Sequence, residues 1–303
     1  LTHRFLRFNL NHTGTSEDFH YIDLAQSLSM INRRLYRQGM QYHVANIAIH
    51  DSQGDAYVKF CTLPNTWTTL QAWKRGFQLW KQQRAQAQAG GARLSGKWSD
   101  FKVYMNDDHR TDTDKPIFKD IENDNIAQGE WDYSVYTTTD DDGNGVDDFN
   151  IHMMGPDNGT IATGLCTSAS LLKALELAME VPQDDPVTHD AVNTGLFSIL
   201  ATGGDDNKLR QQIAELMEDD NDSPPYSATL VPGAGTNCAD PWEVREFHLG
   251  SGGVAPSGMV GGFEVPLGLI CVETKSDTNA NTIGIVIELV PGDYKGVKAE
   301  SWA

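Results

Sequence analysis

Eight to ten short β-like runs dominate this chain, and helices do not follow them in regular alternation. A doubly wound parallel sheet needs that alternation, so the pattern argues against one and for a mainly β sandwich with helical insertions. The strand-like runs lie at 4–10, 42–50, 56–62, 101–105, 131–137, 148–153, 263–274 and 282–289. Polar turns predict two hairpins, one joining 42–50 to 56–62 across Ser52-Gln-Gly-Asp55 and one joining 263–274 to 282–289. Helical periodicity appears at 17–38, where Ile22, Ala25, Leu28, Ile31 and Leu35 recur, and at 68–88, where Leu70, Trp73, Phe77 and Trp80 make one stripe. Further helical signal spans 165–218. Neither an internal repeat nor a Ser/Gly/Pro linker divides the sequence, so one domain over 1–303 with helical insertions at about 17–38, 68–88 and 165–218 is expected.

At 303 residues the chain is long enough to bury a sizeable core without staples. No apolar run approaches the roughly 20 residues that span a bilayer. The formal net charge is −19, which excludes a uniformly basic nucleic-acid coat. The charge is lopsided: residues 1–119 hold 16 Lys/Arg and 10 Asp/Glu, and the later residues hold 7 and 32. Cys61, Cys166, Cys238 and Cys271 are far apart and form no C-x-x-C, which reads as core thiols rather than a zinc site.

Signatures of the common catalytic machineries are missing. There is no G-x-S-x-G, no P-loop, no dinucleotide-binding glycine turn and no H-E-x-x-H, so no catalytic residue is assigned and no enzyme is expected. One motif has chemical content. Asp140, Asp142, Asn144, Val146 and Asp148 match the start of a calcium loop, with Gly145 at the sharp turn. Four side-chain oxygens and the Val146 carbonyl would surround one ion. Position twelve is Ile151, so the bidentate Glu of a full EF-hand is missing, and Asn144-Gly145 is equally a hairpin signal. No cofactor is required by the sequence; calcium is the candidate.

Several stretches carry a family likeness. They are Phe60-Cys-Thr-Leu-Pro-Asn-Thr-Trp67 running into Trp73-Lys-Arg-Gly-Phe77, Asp100-Phe-Lys-Val-Tyr104, Gly129-Glu-Trp131, Asn221-Asp-Ser-Pro-Pro-Tyr226, Gly261-Gly-Phe263 to Leu269, and Val290-Pro-Gly-Asp-Tyr-Lys-Gly296. In these the chain resembles jelly-roll capsid proteins of small tailless environmental viruses, of the small-genome single-stranded DNA type. It departs from many of them in having no Arg-rich arm at its start. The resemblance implies an antiparallel jelly-roll β-sandwich that assembles with itself into an icosahedral shell, located in the virion. The genome would lie on the inner face, and a host receptor would meet outer loops. Arg4, Arg7, Arg33, Arg34 and Arg37 are then the expected genome-facing residues, because cations release counterions from phosphates. A second reading stays open: a secreted or surface, calcium-dependent, lectin-like β-sandwich.

Overall fold

The computed structural model describes residues 2–51, 56–89, 96, 98–112, 116, 118–120, 122–139, 146–159, 166–179, 242–249, 257–276 and 281–302. The fold is mainly β, and two antiparallel sheets carry it. The first holds β1 (Phe5–His12), β3 (Met40–Asp51), β10 (Ser257–Val265) and β12 (Asn281–Leu289), in the order β10-β3-β12-β1. A short β5 (Phe118–Lys119) covers the β1 edge, and β13 (Ala299–Ser301) pairs with β3. The second sheet holds β2 (Asp18–Asp23), β11 (Leu269–Ser276), β4 (Ala56–Thr62) and β9 (Trp242–His248), in that order.

Alternation along each strand sorts its side chains between core and outer face. Leu6, Phe8 and Leu10 of β1 and Ile283, Ile285 and Ile287 of β12 meet Val58 and Phe60 of β4 and Ile270 and Val272 of β11 in one buried cluster. The pairing is nested: β1 pairs with β12, β2 with β11, β3 with β10 and β4 with β9. Successive strands change sheet at every step except β4 to β9, which are neighbours separated by residues 63–241.

Neither expected hairpin forms. β3 and β4 lie in opposite sheets, as do β11 and β12. A polar turn marks a reversal of the chain but does not choose the partner. Here each strand buries its apolar face across the sandwich and finds its hydrogen bonds in strands distant in sequence. The single strand expected at 263–274 is also two, broken at Pro266–Gly268, where Leu267 takes φ 56° and Gly268 φ 69°.

The helix expected at 17–38 is shorter. Its first part is β2, and α1 spans Leu24–Asn32. Asp23 divides the two: its carboxylate accepts the Gln26 backbone N–H at 3.0 Å and caps the helix. Ile22 fits a two-residue period as well as a helical one, and it faces the sandwich core.

β3 and β10 share a local irregularity. In β3, Tyr42 and Val44 point inward, as do Ile47 and Ile49, so the alternation slips by one residue at Ala45 and Asn46. The register with β12 shifts at the same level, between Glu288 and Leu289. Such a bulge bends the strand. The backbones approach so closely that a Cβ on Gly262 of β10 would lie 2.3 Å from the Val44 carbonyl oxygen and 2.6 Å from that of Ala45. Gly262→Ala is therefore expected to lose about 1–3 kcal/mol in urea denaturation. A variant as stable as the wild type would show that this close approach does not exist in solution.

The described parts of 63–241 cover the outside of the second sheet. α2 spans Trp67–Ala89, close to expectation. It is followed by α3 (Asp107–Thr111), by a three-stranded sheet of β6 (Val135–Thr139), β7 (Val146–His152) and β8 (Ser168–Ser170), and by α4 (Leu171–Met179). The strand expected at 101–105 is an extended segment with one bridge, Tyr104 to His152. Most of the helical signal at 165–218 falls beyond α4, outside the described residues. Tyr21, Cys61, Leu269 and Cys271 on the outer side of the sheet join Trp73, Phe101, Met105, Ile151 and Leu172 in a second buried cluster. Cys61 and Cys271 face each other in register and are buried, and Cys166 is buried as well. Cys238 lies outside the described residues.

Candidate interaction surfaces

The five arginines fall on different parts of the sandwich. Arg7 stands on the outer face of the first sheet, beside Val286 of β12 and Lys119 of β5. It borders an open groove of about 820 Å³, lined also by Asn9, Ala48, His50, Met259 and Val286. Arg4 donates to the Leu289 carbonyl at 3.5 Å. Arg33, Arg34 and Arg37 follow α1. Arg33 closes the helix in the left-handed region, with φ 50°. The Arg37 backbone N–H donates to the Tyr294 hydroxyl at 3.1 Å, and its carbonyl accepts from Tyr42 Oη at 2.6 Å. Lys295 joins this corner, donating to the Leu35 carbonyl and lying near the rings of Tyr36 and Tyr294. Its pKa is lowered by partial burial and then by Arg37 and Arg34, with Asp100 opposing. The structure thus gathers Arg34 and Arg37 with Lys295 and sets Arg7 on the groove.

The acidic segment sits where two strands meet. β6 and β7 pair antiparallel, so the two strands expected around it do form a hairpin. Asp140, Asp142 and Asn144 lie outside the described residues. Val146 and Asp148 lie on β7, opposite Thr139 and Thr137. Among the described residues no group of three or more His, Cys, Asp or Glu is placed to hold a metal ion.

Farther along β7, His152 is fully buried. Its Nε2 lies 3.0 Å from the Pro156 carbonyl and its Nδ1 2.6 Å from Ser168 Oγ. The carbonyl can only accept, so Nε2 carries the proton and Ser168 donates to Nδ1. Burial lowers the pKa of this imidazole from 6.5, outweighing Asp107 and Asp157. The unfolded chain therefore binds a proton before the folded one does. The stability contributed by the neutral ring is present above about pH 6.5 and is lost as pH falls through the folded value. Thermal melts between about pH 7.5 and 5.5 are expected to show a steeper fall for the wild type than for His152→Gln. Parallel curves would show that His152 titrates alike in both states.

A buried polar hub ties the sandwich to its covering layer. Asp23 is 4% exposed. Its Oδ2 accepts from Gln38 Nε2 at 3.2 Å, Trp131 Nε1 at 3.2 Å and Tyr133 Oη at 3.3 Å. Gln38 in turn receives the Val103 backbone N–H at 2.6 Å and donates to the Val103 carbonyl at 3.0 Å. Lys102 is almost fully buried beside it, with Nζ 4.0 Å from the centre of the Trp131 ring and 3.2 Å from the Asp132 carbonyl. Burial raises the pKa of Asp23 against these donors, and burial lowers that of Lys102 against the pull of Asp23. Donors converge here to hold a negative charge in place, which is structural work. The sequence carries a sign of it that the reading above does not use: Asp23 and Gln26 have the spacing of a capping box, S/T/D-x-x-E/Q.

Comparison with protein families, with curated proteins and with solved structures returned no match.

Proposed function

We propose that this chain is a shell-forming structural protein: a jelly-roll subunit that assembles with itself around a genome, with its place in the virion. The observation that supports this reading is the nested pairing of eight strands between two sheets, first with last and inward from there. A long hairpin folded over on itself gives that order, and it is the connectivity of jelly rolls, which build viral capsids, lectins and cupins. The described residues between β4 and β9 suit a shell as well. They leave the sandwich intact and place helices on its outside, where neighbouring subunits can be met. Arg7 on the first sheet, and Arg34 and Arg37 at its end, are the groups we assign to the genome.

Fold alone does not choose among these uses. The groove of about 820 Å³ on the first sheet favours the second reading, a lectin-like binding module, because its volume suits a small ligand. Negative-stain microscopy of the purified chain separates the two, run with millimolar calcium and with a chelator. Closed particles of uniform diameter are the expected result, and calcium bound at 140–148 would increase their stability. Small oligomers under all conditions, together with retention on a glycan matrix, would support the binding module instead.

A further inference from the structure

Charge is distributed oddly around α2. The helix has four cations, Lys74, Arg75, Lys81 and Arg84, and no carboxylate, whereas the rest of the chain has 19 Lys/Arg against 42 Asp/Glu. Its buried residues are Thr69, Ala72, Trp73 and Gly76, all in the first half. From Gln78 onward the helix is largely exposed. Arg84 is committed within the subunit, stacking on Trp80 at 4.4 Å and donating to Ser99 Oγ at 2.5 Å, and Lys81 lies 4.0 Å from the centre of the Phe77 ring. Among the described residues no carboxylate pairs with Lys74, Arg75 or Lys81. Trp67, 61% exposed, and Leu79, 44% exposed, add apolar surface to the same helix.

The opposite charge occurs in one described stretch. Residues 120–132 contain Asp120, Glu122, Asp124, Glu130 and Asp132 and no Lys or Arg, and all but Asp120 are exposed. Asp120 holds the turn, accepting the backbone N–H groups of Glu122 at 2.9 Å and Asp124 at 2.8 Å. These two bonds hold the backbone at Glu122 and Asp124, from which their side chains project.

We infer that α2 of one copy docks on the 120–132 loop of the next. Complementary patches at different places on one chain make a heterologous contact, which propagates from copy to copy and closes into rings or shells when the rotation allows. This inference rests on the proposed self-assembly only in taking a second copy as the partner. A second copy fits the helix better than nucleic acid, because exposed Trp67 and Leu79 stand among its cations and the chain itself supplies the complementary carboxylates at 120–132. Opposed charges of this kind steer encounter and set register, and salt screens them.

The test is a set of charge reversals read by sedimentation velocity. One variant carries Lys74→Glu, Arg75→Glu and Lys81→Glu. A second carries Glu122→Lys, Asp124→Lys and Glu130→Lys. A third carries all six. Far-UV circular dichroism and thermal melts establish that each folds. Each triple variant alone is expected to self-associate at least tenfold more weakly than the wild type, while the sixfold variant and an equimolar mixture of the two triples recover association. Wild-type association is expected to weaken between about 0.1 M and 1 M salt, where the screening length falls from about 10 Å to 3 Å. Triple variants that associate like the wild type would overturn the contact, as would a sixfold variant that stays dissociated. Retention of single-stranded DNA by the wild type, abolished by the α2 reversals with oligomeric state unchanged, would overturn it in favour of a nucleic-acid surface. The two readings fail separately. Closed particles indifferent to the reversals leave the shell and remove this contact; open oligomers that obey the reversals keep the contact and remove the shell.

Discussion

Trp73→Ala is expected to lose about 3–5 kcal/mol of unfolding free energy, among the largest effects of any single truncation outside the sandwich core. Trp73 is 5% exposed and lies at the centre of the second cluster. Its ring stacks on Phe77 at 5.1 Å and meets Phe101 at 5.7 Å and Trp302 at 6.2 Å edge-on. Gly39 lies against its far edge, so closely that a Cβ there would fall 2.7 Å from Cζ2. One side chain thus joins α2, the segment after it, the turn before β3 and the end of the described chain. Removing it opens a cavity among groups held by four separate segments, which cannot all collapse inward. The indole Nε1 is buried without a hydrogen-bond partner among the described residues. Trp73→Phe keeps most of the ring contact and removes that unsatisfied donor, so its loss should be well below that of the alanine variant. Urea denaturation of both variants decides it; equal losses would mean that a phenyl ring recovers none of the indole's packing, against the ring contacts described here.

Asp23→Ala is expected to be comparably damaging, at about 3–5 kcal/mol, through a different mechanism. The substitution removes a helix cap and at the same stroke leaves the Gln38, Trp131 and Tyr133 donors without their acceptor. Lys102 is then left with less negative charge near it in a buried place. Asp23→Asn tests the charge separately from the cap. The amide oxygen can still receive the Gln26 N–H, but its NH₂ faces three donors, so about 1–3 kcal/mol should still be lost. Limited proteolysis adds a readout of position. If Asp23 fastens the covering layer to the sandwich, Asp23→Ala should expose sites between 98 and 139 to protease before the sandwich strands are cut. Cleavage at the wild-type rate would show that the layer is held by its apolar contacts alone.

Strand existence was readable in the sequence, and strand partnership was not. The runs at 4–10, 42–50, 56–62 and 282–289 became β1, β3, β4 and β12 because their alternation matched burial on one face. Alternation holds no information about which strand lies alongside, and the polar runs at 52–55 and 275–281 invited hairpins between strands that lie in opposite sheets. The α2 stripe was legible for the same reason as the strands, since Trp73 buries and Leu70, Phe77 and Trp80 pack beside it. At 18–23 the two periods competed. Ile22 satisfied both, and β2 prevailed because β11 lies in register opposite every residue from Asp18 to Asp23 and closes an antiparallel ladder with it. Of the candidate surfaces, the cationic corner was half visible. Arg34 and Arg37 were legible, but Lys295 joins them from the far end of the chain through the carbonyl of Leu35 and the rings of Tyr36 and Tyr294. The hub at Asp23 was hidden because its donors come from positions 38, 131 and 133, which no local pattern connects.

The nested pairing of strands also sets a schedule for synthesis. Among the described residues, none of β1 to β4 is hydrogen-bonded to another of the four; all wait for partners made later. Apart from the two-residue β5 at the edge of β1, the earliest sandwich partner is β9, which begins at Trp242, so a ribosome adding about 5–20 residues per second makes the 63–241 stretch while those four apolar strands stand largely open, for roughly 10–35 seconds. The outermost pair closes last, when β12 reaches β1. Unpaired apolar strands of this kind are the surfaces through which incomplete chains aggregate. The covering layer, with helix α2 and the first half of the buried aromatic cluster, is made in that interval, before the sheet on which it rests has been assembled.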